Sequence, residues 1–295
     1  MVGKMRTMEN GERAFEVLAV LLCTVIIIIS IYPLYYIFIC SVSNPYDVQM
    51  GNVLLLPKGM GWSSYREAFK IKGLWTAYGN TVFYTFAGVA VNMAFTTTMA
   101  YAMSKKRLAF RKFFTLMVMI TMWFNAGIIP FYLTLRNYHM LDQRFTILIA
   151  FAMNAYNLII MRSFFENVPE SLEEAAFIDG ASNLHTFWAI YLPLSKPALV
   201  TVSTFYAVTR WNGYFWAMNI LSDDKKLPLQ VVLKKLLVDR QMNAGSAEIV
   251  TASSATSPTT VIYAVIMIAI VPMLAAYPYI QKYFKSGATM GAIKG

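Results

Sequence analysis

Long apolar stretches alternate with short polar segments along this chain of 295 residues. Each stretch reaches the roughly 20 residues that an α-helix needs to cross the hydrocarbon core of a bilayer, and a helix satisfies its own backbone hydrogen bonds in lipid. The pattern predicts six transmembrane helices, at about 14–40, 75–103, 113–135, 145–165, 195–221 and 260–284. We therefore expect an all-α membrane protein that forms one transmembrane domain over residues 1–295, with both termini on the same side.

The first apolar stretch follows the basic residues Lys4, Arg6 and Arg13, as the core of a secretory signal does. It is longer than such a core and lacks a small-residue cleavage site. We expect it to remain attached as the first transmembrane helix.

The distribution of Lys and Arg indicates which side each loop faces. A short, dense basic cluster occupies residues 105–112, between the second and third predicted helices, and further basic residues flank the chain ends at Lys4, Arg6, Arg13, Lys282, Lys285 and Lys294. Such flanks lie in the cytoplasm by the positive-inside tendency. The opposite loops carry as many basic residues, namely Lys58, Arg66, Lys70, Lys72, Lys225, Lys226, Lys234, Lys235 and Arg240. The prediction of cytoplasmic termini therefore depends mainly on the 105–112 cluster.

Composition agrees with a membrane protein and excludes several other classes. The chain is 58% hydrophobic and only 14% charged, whereas soluble domains carry nearer a quarter charged residues. The net charge of +10 lies largely beside apolar stretches, so it indicates anionic lipid headgroups rather than nucleic acid. The two cysteines form no paired framework, and the two histidines lack metal-ligand spacing, so we expect no metal site.

The polar loop at residues 166–193 contains residues that are typical of helix starts and helix ends. Ser171 and Glu174 have capping-box spacing, and Gly180 suits the left-handed turn that ends a helix. The loop is therefore expected to contain a helix at 172–178 and a second one at 184–191, together forming a compact knob on the cytoplasmic side. A knob of this kind suits docking into a groove on another subunit.

The same loop carries a spaced motif, and other segments accompany it. The motif consists of Glu174, Ala175, Ala176, Gly180, Ile190, Leu192 and Pro193; the accompanying segments are 123–133, Trp211 with Asn212, 228–230, 281–285 and 291–295. Together they resemble the membrane subunits of binding-protein-dependent ABC importers, specifically the second permease of the sugar and oligosaccharide branch. The resemblance extends from the second predicted helix to the last residue.

The resemblance implies a non-catalytic transport subunit in a bacterial cytoplasmic membrane. Its expected partners are a homologous second permease, a dimer of ATPase subunits, an extracellular solute-binding protein, membrane lipid and an oligosaccharide. The chain has no phosphate-binding loop with the Gly-x4-Gly-Lys-Ser/Thr pattern, so ATP and Mg²⁺ are expected on the partner ATPase and no cofactor on this chain. The implied ATPase-coupling residues are Glu173, Glu174, Ala175, Ala176, Asp179, Gly180 and Ala181.

An ion-coupled secondary sugar transporter is the alternative. Proton relays commonly use carboxylates at membrane depth, and no Asp or Glu lies deep in a predicted helix. A sodium site of backbone carbonyls at a broken helix would also serve. Pro33, Pro130 and Pro272 could break helices, although structural kinks explain them more simply.

Polar and aromatic side chains at membrane depth are the candidates for a substrate path. They are Asn80, Asn92, Asn125, Asn154, Asn157, Arg210, Trp211, Asn212, Tyr214 and Trp216. Asn amides and aromatic faces suit sugars, but amides also hold helices together in lipid. Arg210 stays charged and is costly among acyl chains, so we expect it to meet substrate or to pair with an acid on the partner permease. With the basic outer loops it favours an acidic oligosaccharide, such as one containing uronic acids. The long extracellular loop at 222–259 is expected either to contact the binding protein or to act as an inert cover.

Overall fold

The computed structural model describes residues 10–243 and 255–292, and every regular element in these ranges is helical. The helices are α1 (Asn10–Val42), α2 (Pro45–Gln49), α3 (Ser63–Lys70), α4 (Leu74–Ser104), α5 (Arg111–Trp123), α6 (Ile128–Asn137), α7 (Arg144–Ile149), α8 (Ala155–Glu166), α9 (Glu170–Ile178), α10 (Asn183–Thr186), α11 (Leu192–Leu194), α12 (Lys196–Trp211), α13 (Phe215–Ile220), α14 (Leu229–Asn243) and α15 (Pro258–Ala292). A π-helical segment spans Phe187–Tyr191, and a 3₁₀ turn spans Asp224–Lys226. The all-α prediction is confirmed.

Three of these helices are long and apolar enough to cross a membrane unaided. Their apolar parts are Phe15–Val42 in α1, Leu74–Ser104 in α4 and Pro258–Pro278 in α15. They coincide with the first, second and sixth predicted transmembrane helices.

The third predicted transmembrane helix is sharply bent. Helices α5 and α6 pass the length and hydropathy criterion together, but their axes differ by 115°. Gly127, at a φ of +85°, ends the break, and the Asn125 side chain accepts a hydrogen bond from the Gly127 amide at 2.9 Å. If the bent pair is counted as one membrane-spanning segment, the described residues contain four such segments in all.

The fourth and fifth predicted transmembrane helices are interrupted. Residues 150–154 separate α7 from α8, and the 16-residue α12 is followed by a short break before α13. The structure therefore supports three or four apolar spans by length and composition, and the count of six stays a prediction. Lys4, Arg6, Lys294 and residues 244–254 of the predicted extracellular loop lie outside the described residues.

The chain divides into two compact units. The first comprises the described residues within 1–71 and 239–268, and the second comprises those within 72–238 and 269–295. In the second unit, α4 packs against both α8 and α12. The core of that packing includes Leu158, Met161, Phe165, Val202 and Tyr206, each at most 4% exposed.

Asp142 links the turn between α6 and α7 to the segment that follows α13 through hydrogen bonds and an ion pair. It adopts a φ of 54°, which Asp tolerates better than most residues. Its carboxylate accepts from the backbone amides of Ser222 and Asp223 and from the Lys226 ammonium at 2.8–3.1 Å. Two loops that are far apart in sequence are therefore held by one side chain.

Candidate functional site

Helix α9 begins earlier than the capping-box pattern predicts. Pro169 is the N-cap residue, with extended backbone angles and no side-chain cap hydrogen bond, and the helix starts at Glu170. Ser171 therefore lies inside the first turn, where it cannot act as the cap. The predicted capping box between Ser171 and Glu174 is wrong, because proline fixes the helix start two residues upstream.

The end of α9 is as the sequence predicts. Gly180 has a φ of +79°, and the Ala181 amide donates to the Ala176 carbonyl at 2.8 Å. Nothing lies within 4 Å of a Cβ built on Gly180. Glycine is therefore required here because of its left-handed backbone angle, not because a Cβ would collide with a neighbouring atom.

The second predicted helix of the loop is built in two parts. Ser182 caps α10 by accepting from the His185 amide at 3.2 Å, and the π-helical segment continues the chain into α11. With this π turn, the large apolar side chains of the segment do not all face one surface. Phe187 and Tyr191 are buried, whereas Leu184 and Trp188 remain exposed.

The glutamates of α9 face different surroundings. Glu174 is exposed, whereas the Glu173 side chain is only 13% exposed and accepts from Lys105 Nζ at 2.6 Å. Tyr191 Oη donates to the same Glu173 oxygen at 2.6 Å, and Arg107 contacts the other oxygen at 3.3 Å. Glu173 is thus bound inside the chain, while Glu174 is free to meet a partner surface.

The surroundings of Glu173 keep its carboxylate charged. Burial alone would raise the pKa of Glu173, but the hydrogen bonds from Lys105 and Tyr191 and the charges of Lys105 and Arg107 outweigh it, and the net pKa is lowered. Burial also lowers the pKa of the Lys105 ammonium, and the hydrogen bond to Glu173 opposes that shift. Near neutral pH the pair is an ion pair.

The remaining predicted coupling residues form the outer side of the knob. Ala175 and Asp179 are exposed, and Ala176 and Ala181 are half-buried. A shallow hollow there is lined by Ala176, Asp179, Gly180, Ala181, Ser182, His185 and Ile190. Its small side chains permit close approach of another backbone.

A cavity of about 540 Å³ lies within the second unit, among the ends of α7, α8, α12 and α13. Seven predicted path residues line it: Asn92, Asn154, Asn157, Arg210, Asn212, Tyr214 and Trp216. The Trp216 ring packs on Phe131 with centroids 4.7 Å apart. Aromatic faces and amides therefore meet at one concave surface, the kind of lining that holds small molecules.

Arg210 is fixed in the cavity wall by neutral acceptors. It donates to the side-chain oxygen of Asn92 at 2.9 Å, and to the carbonyls of Ile147, Leu148 and Phe151 at and just beyond the C-terminal end of α7. A cation is favoured at that end by the helix dipole. This anchoring role is not evident from the sequence, because the exposed carbonyls arise only from the break after α7.

Three predicted path residues lie elsewhere. Trp211 is buried, and its indole donates to the Ala269 carbonyl at 3.2 Å. Asn80 donates to the carbonyls of Lys225 and Leu227, and Asn125 belongs to the α5–α6 bend.

Tyr206 is a cavity residue that the sequence pattern did not predict. Tyr206 lines the cavity and joins three helices, because its hydroxyl lies 2.7 Å from Thr96 Oγ1 and accepts from the Asn154 amide at 3.0 Å. A tyrosine at membrane depth was the available signal.

Comparisons with known proteins agree with this architecture. Residues 94–288 match the family model for the binding-protein-dependent transport system inner membrane component. The permease protein YtcP of the Bacillus subtilis polygalacturonan/rhamnogalacturonan transport system is 36% identical over 284 residues, covering 96% of this chain and 99% of YtcP. Protein LplC of Bacillus subtilis is 35% identical, with both chains fully covered.

A solved structure is also similar throughout. It comes from the crystal structure of a bacterial ABC transporter involved in the import of the acidic polysaccharide alginate. That chain is 43% identical, with a TM-score of 0.87, and the match covers 95% of this chain and all of that one. The predicted resemblance to ABC importer permeases is confirmed: the chain belongs to the binding-protein-dependent transport system inner membrane components, a family of multi-pass membrane transport subunits.

Proposed function

We propose that this chain forms half of the translocation path for an acidic oligosaccharide, one that contains uronic acid units. The main support is the Arg210 guanidinium in the cavity wall. Among the described residues, all of its hydrogen-bond acceptors are neutral. A carboxylate about 6 Å away would be attracted by about 3 kcal/mol at an effective dielectric constant of 20. The names of YtcP and of the alginate transporter favour the same substrate class.

A separate ATPase drives transport in this proposal, and it docks on the loop at 166–193. Glu174 and Asp179 are exposed there, and the small residues between them leave room for close approach. The ion pairs Lys105–Glu173 and Lys106–Glu170 show that this loop lies against the basic cluster at 105–112, and the buried Lys105–Glu173 pair is the one that holds it there. Both loops therefore belong to one side, which the positive-inside tendency assigns to the cytoplasm.

The other partners complete the path. A homologous second permease supplies the other half of the membrane pore, and an extracellular binding protein delivers the oligosaccharide. ATP and Mg²⁺ act on the ATPase subunits, and this chain transmits their motion through contacts that differ between two states.

The coupling role is tested in proteoliposomes that contain this chain, its partner permease, the ATPase and the binding protein. Glu174→Ala and Asp179→Ala are expected to abolish substrate-stimulated ATP hydrolysis while the two permeases remain assembled. Glu170→Ala, on the same helix and also exposed, is the matched control and should retain stimulation. Full stimulation in both test variants, or ion-driven uptake by this chain alone, would favour a secondary transporter.

The substrate class is tested separately with Arg210→Gln, which removes the charge but keeps an amide donor. Uptake of an oligogalacturonate should fall relative to uptake of a neutral oligosaccharide of the same length. An unchanged ratio in a properly assembled variant would refute the acidic-substrate proposal.

A further inference from the structure

Lys105 occupies an unusual position for a lysine. It is the residue directly after α4, its side chain is 10% exposed, and its ammonium lies 4.0 Å and 3.8 Å from the ring centroids of Tyr101 and Tyr191. The Glu173 carboxylate closes this pocket at 2.6 Å. One cation is thus enclosed by two aromatic faces and a carboxylate that comes from α9.

The surrounding aromatic cluster makes this junction rigid. The Tyr101 ring lies 4.9 Å from that of Tyr191 and 5.1 Å from that of Phe187, and Phe165 packs on the same group. Phe165, Phe187 and Tyr191 are at most 4% exposed. Side chains packed this closely transmit displacement rather than absorb it.

Helix α4 extends from this junction to the cavity without a break. Asn92 lies on it 13 positions before Lys105, which corresponds to about 20 Å of helix. At that point Asn92 accepts from Arg210 and donates to the Phe151 carbonyl at 2.6 Å. The same helix therefore contacts α9 at one end and the cavity wall farther along.

We propose that Lys105 and Glu173 are positioning residues that deliver a displacement of α9 to α4, and through α4 to the cavity wall at Asn92. This inference rests on the proposed coupling role of the loop, and it assigns a transmitting task to a glutamate that faces away from the ATPase. An ion pair buried in this way is costly to break by removing one partner, so α9 and the end of α4 move together.

The chain contains a matched control for this pair. Lys106 and Glu170 join the same two segments at 2.8 Å, but their side chains are 74% and 60% exposed. Exposed ion pairs contribute little. The two pairs therefore differ in burial while sharing residue types, distance and location.

The experiment measures oligosaccharide taken up per ATP hydrolysed by the reconstituted complex, together with the amount of ATPase that co-purifies. Lys105→Met and Glu173→Gln should each lower uptake per ATP by about tenfold, a magnitude typical of coupling between sites, with the ATPase still bound. Lys106→Met and Glu170→Gln should stay within about twofold of the wild type.

The double variant Lys105→Met with Glu173→Gln guards against misfolding, because neither charge is left buried alone and the Gln oxygen still accepts from Tyr191. Its uptake per ATP should be no lower than that of the less active single variant, since the two substitutions affect the same contact. Wild-type uptake per ATP in the double variant would overturn the inference, as would loss of activity that follows loss of bound ATPase. A wild-type complex that shows no coupled ATP hydrolysis would instead contradict the proposed function.

Discussion

Gly88 offers a test of the Arg210 anchor because the two residues are in direct contact. Gly88 is buried in the middle of α4. A Cβ placed on it would lie 2.8 Å from Arg210 Nε and 2.9 Å from Cδ. Ordinary contacts are about 3.5 Å or more, so the arginine would have to move by about 0.7 Å.

Arg210 cannot make that movement freely. Its two terminal nitrogens are bound by three carbonyls, and Nε, one of the two atoms nearest the added Cβ, donates to Asn92. Overpacking of this kind costs about 1–3 kcal/mol, whereas replacing Gly by Ala inside a helix gains about 1 kcal/mol. Gly88→Ala should therefore destabilise the protein by about 1 kcal/mol on balance.

The effect of Gly88→Ala on stability should change sign when Arg210 is truncated. In an Arg210→Ala background the added methyl group meets no guanidinium, and Gly88→Ala should stabilise by about 1 kcal/mol through helix propensity. The assay is the thermal unfolding midpoint of the purified permease complex for the wild type, the two single variants and the double variant. If Gly88→Ala raises the midpoint equally in both backgrounds, the close approach of Arg210 to α4 is refuted.

Four further outcomes follow from single side chains. Trp216→Ala should reduce oligosaccharide uptake with assembly intact, because this ring lines the cavity; Trp211→Phe should instead lower the unfolding midpoint by the equivalent of about 1 kcal/mol and leave the apparent substrate affinity unchanged. Tyr206→Phe should lower unfolding stability by about 1–2 kcal/mol, measured by the same melt, since its hydroxyl joins α12 to α4 and α8. The Lys226 ammonium and two backbone amides lower the pKa of Asp142 from 3.8 to about 2, so its contribution is complete above the unfolded-state pKa and is lost as pH falls towards 2. Unfolding midpoints between about pH 4 and pH 2 should fall less steeply for Asp142→Asn than for the wild type, and parallel curves would contradict this account.

Hydropathy located the long helices because burial in lipid requires continuous apolar sequence. It did not locate the interruption after α7, since residues 150–153 are all apolar. The break after α12 falls on Asn212 and Gly213, a pair typical of turns, which mean hydropathy does not register. The break after α7 has a tertiary partner, Arg210, whose guanidinium donates to the carbonyls of Ile147, Leu148 and Phe151.

The loop between α8 and α12 also contains one feature that the sequence predicts and one that it does not. Gly180 was predictable because a backbone angle dictates the residue type. The different surroundings of Glu173 and Glu174 were not, because they depend on Lys105, 68 positions away. Adjacent residues of one type in a motif can therefore serve separate surfaces, and only the tertiary contacts distinguish them.

The bend between α5 and α6 has a consequence for how this chain can be solvated. Irregular backbone at membrane depth is tolerated only where protein or water covers it, and three side chains beside the bend, Trp123, Phe124 and Ile129, are each more than 70% exposed. Hydrocarbon cannot supply hydrogen bonds to the amides and carbonyls that the bend releases. We therefore expect this segment to be shielded from lipid, so that a lipid-phase quencher should affect Trp123 fluorescence less in the assembled importer than in the isolated chain.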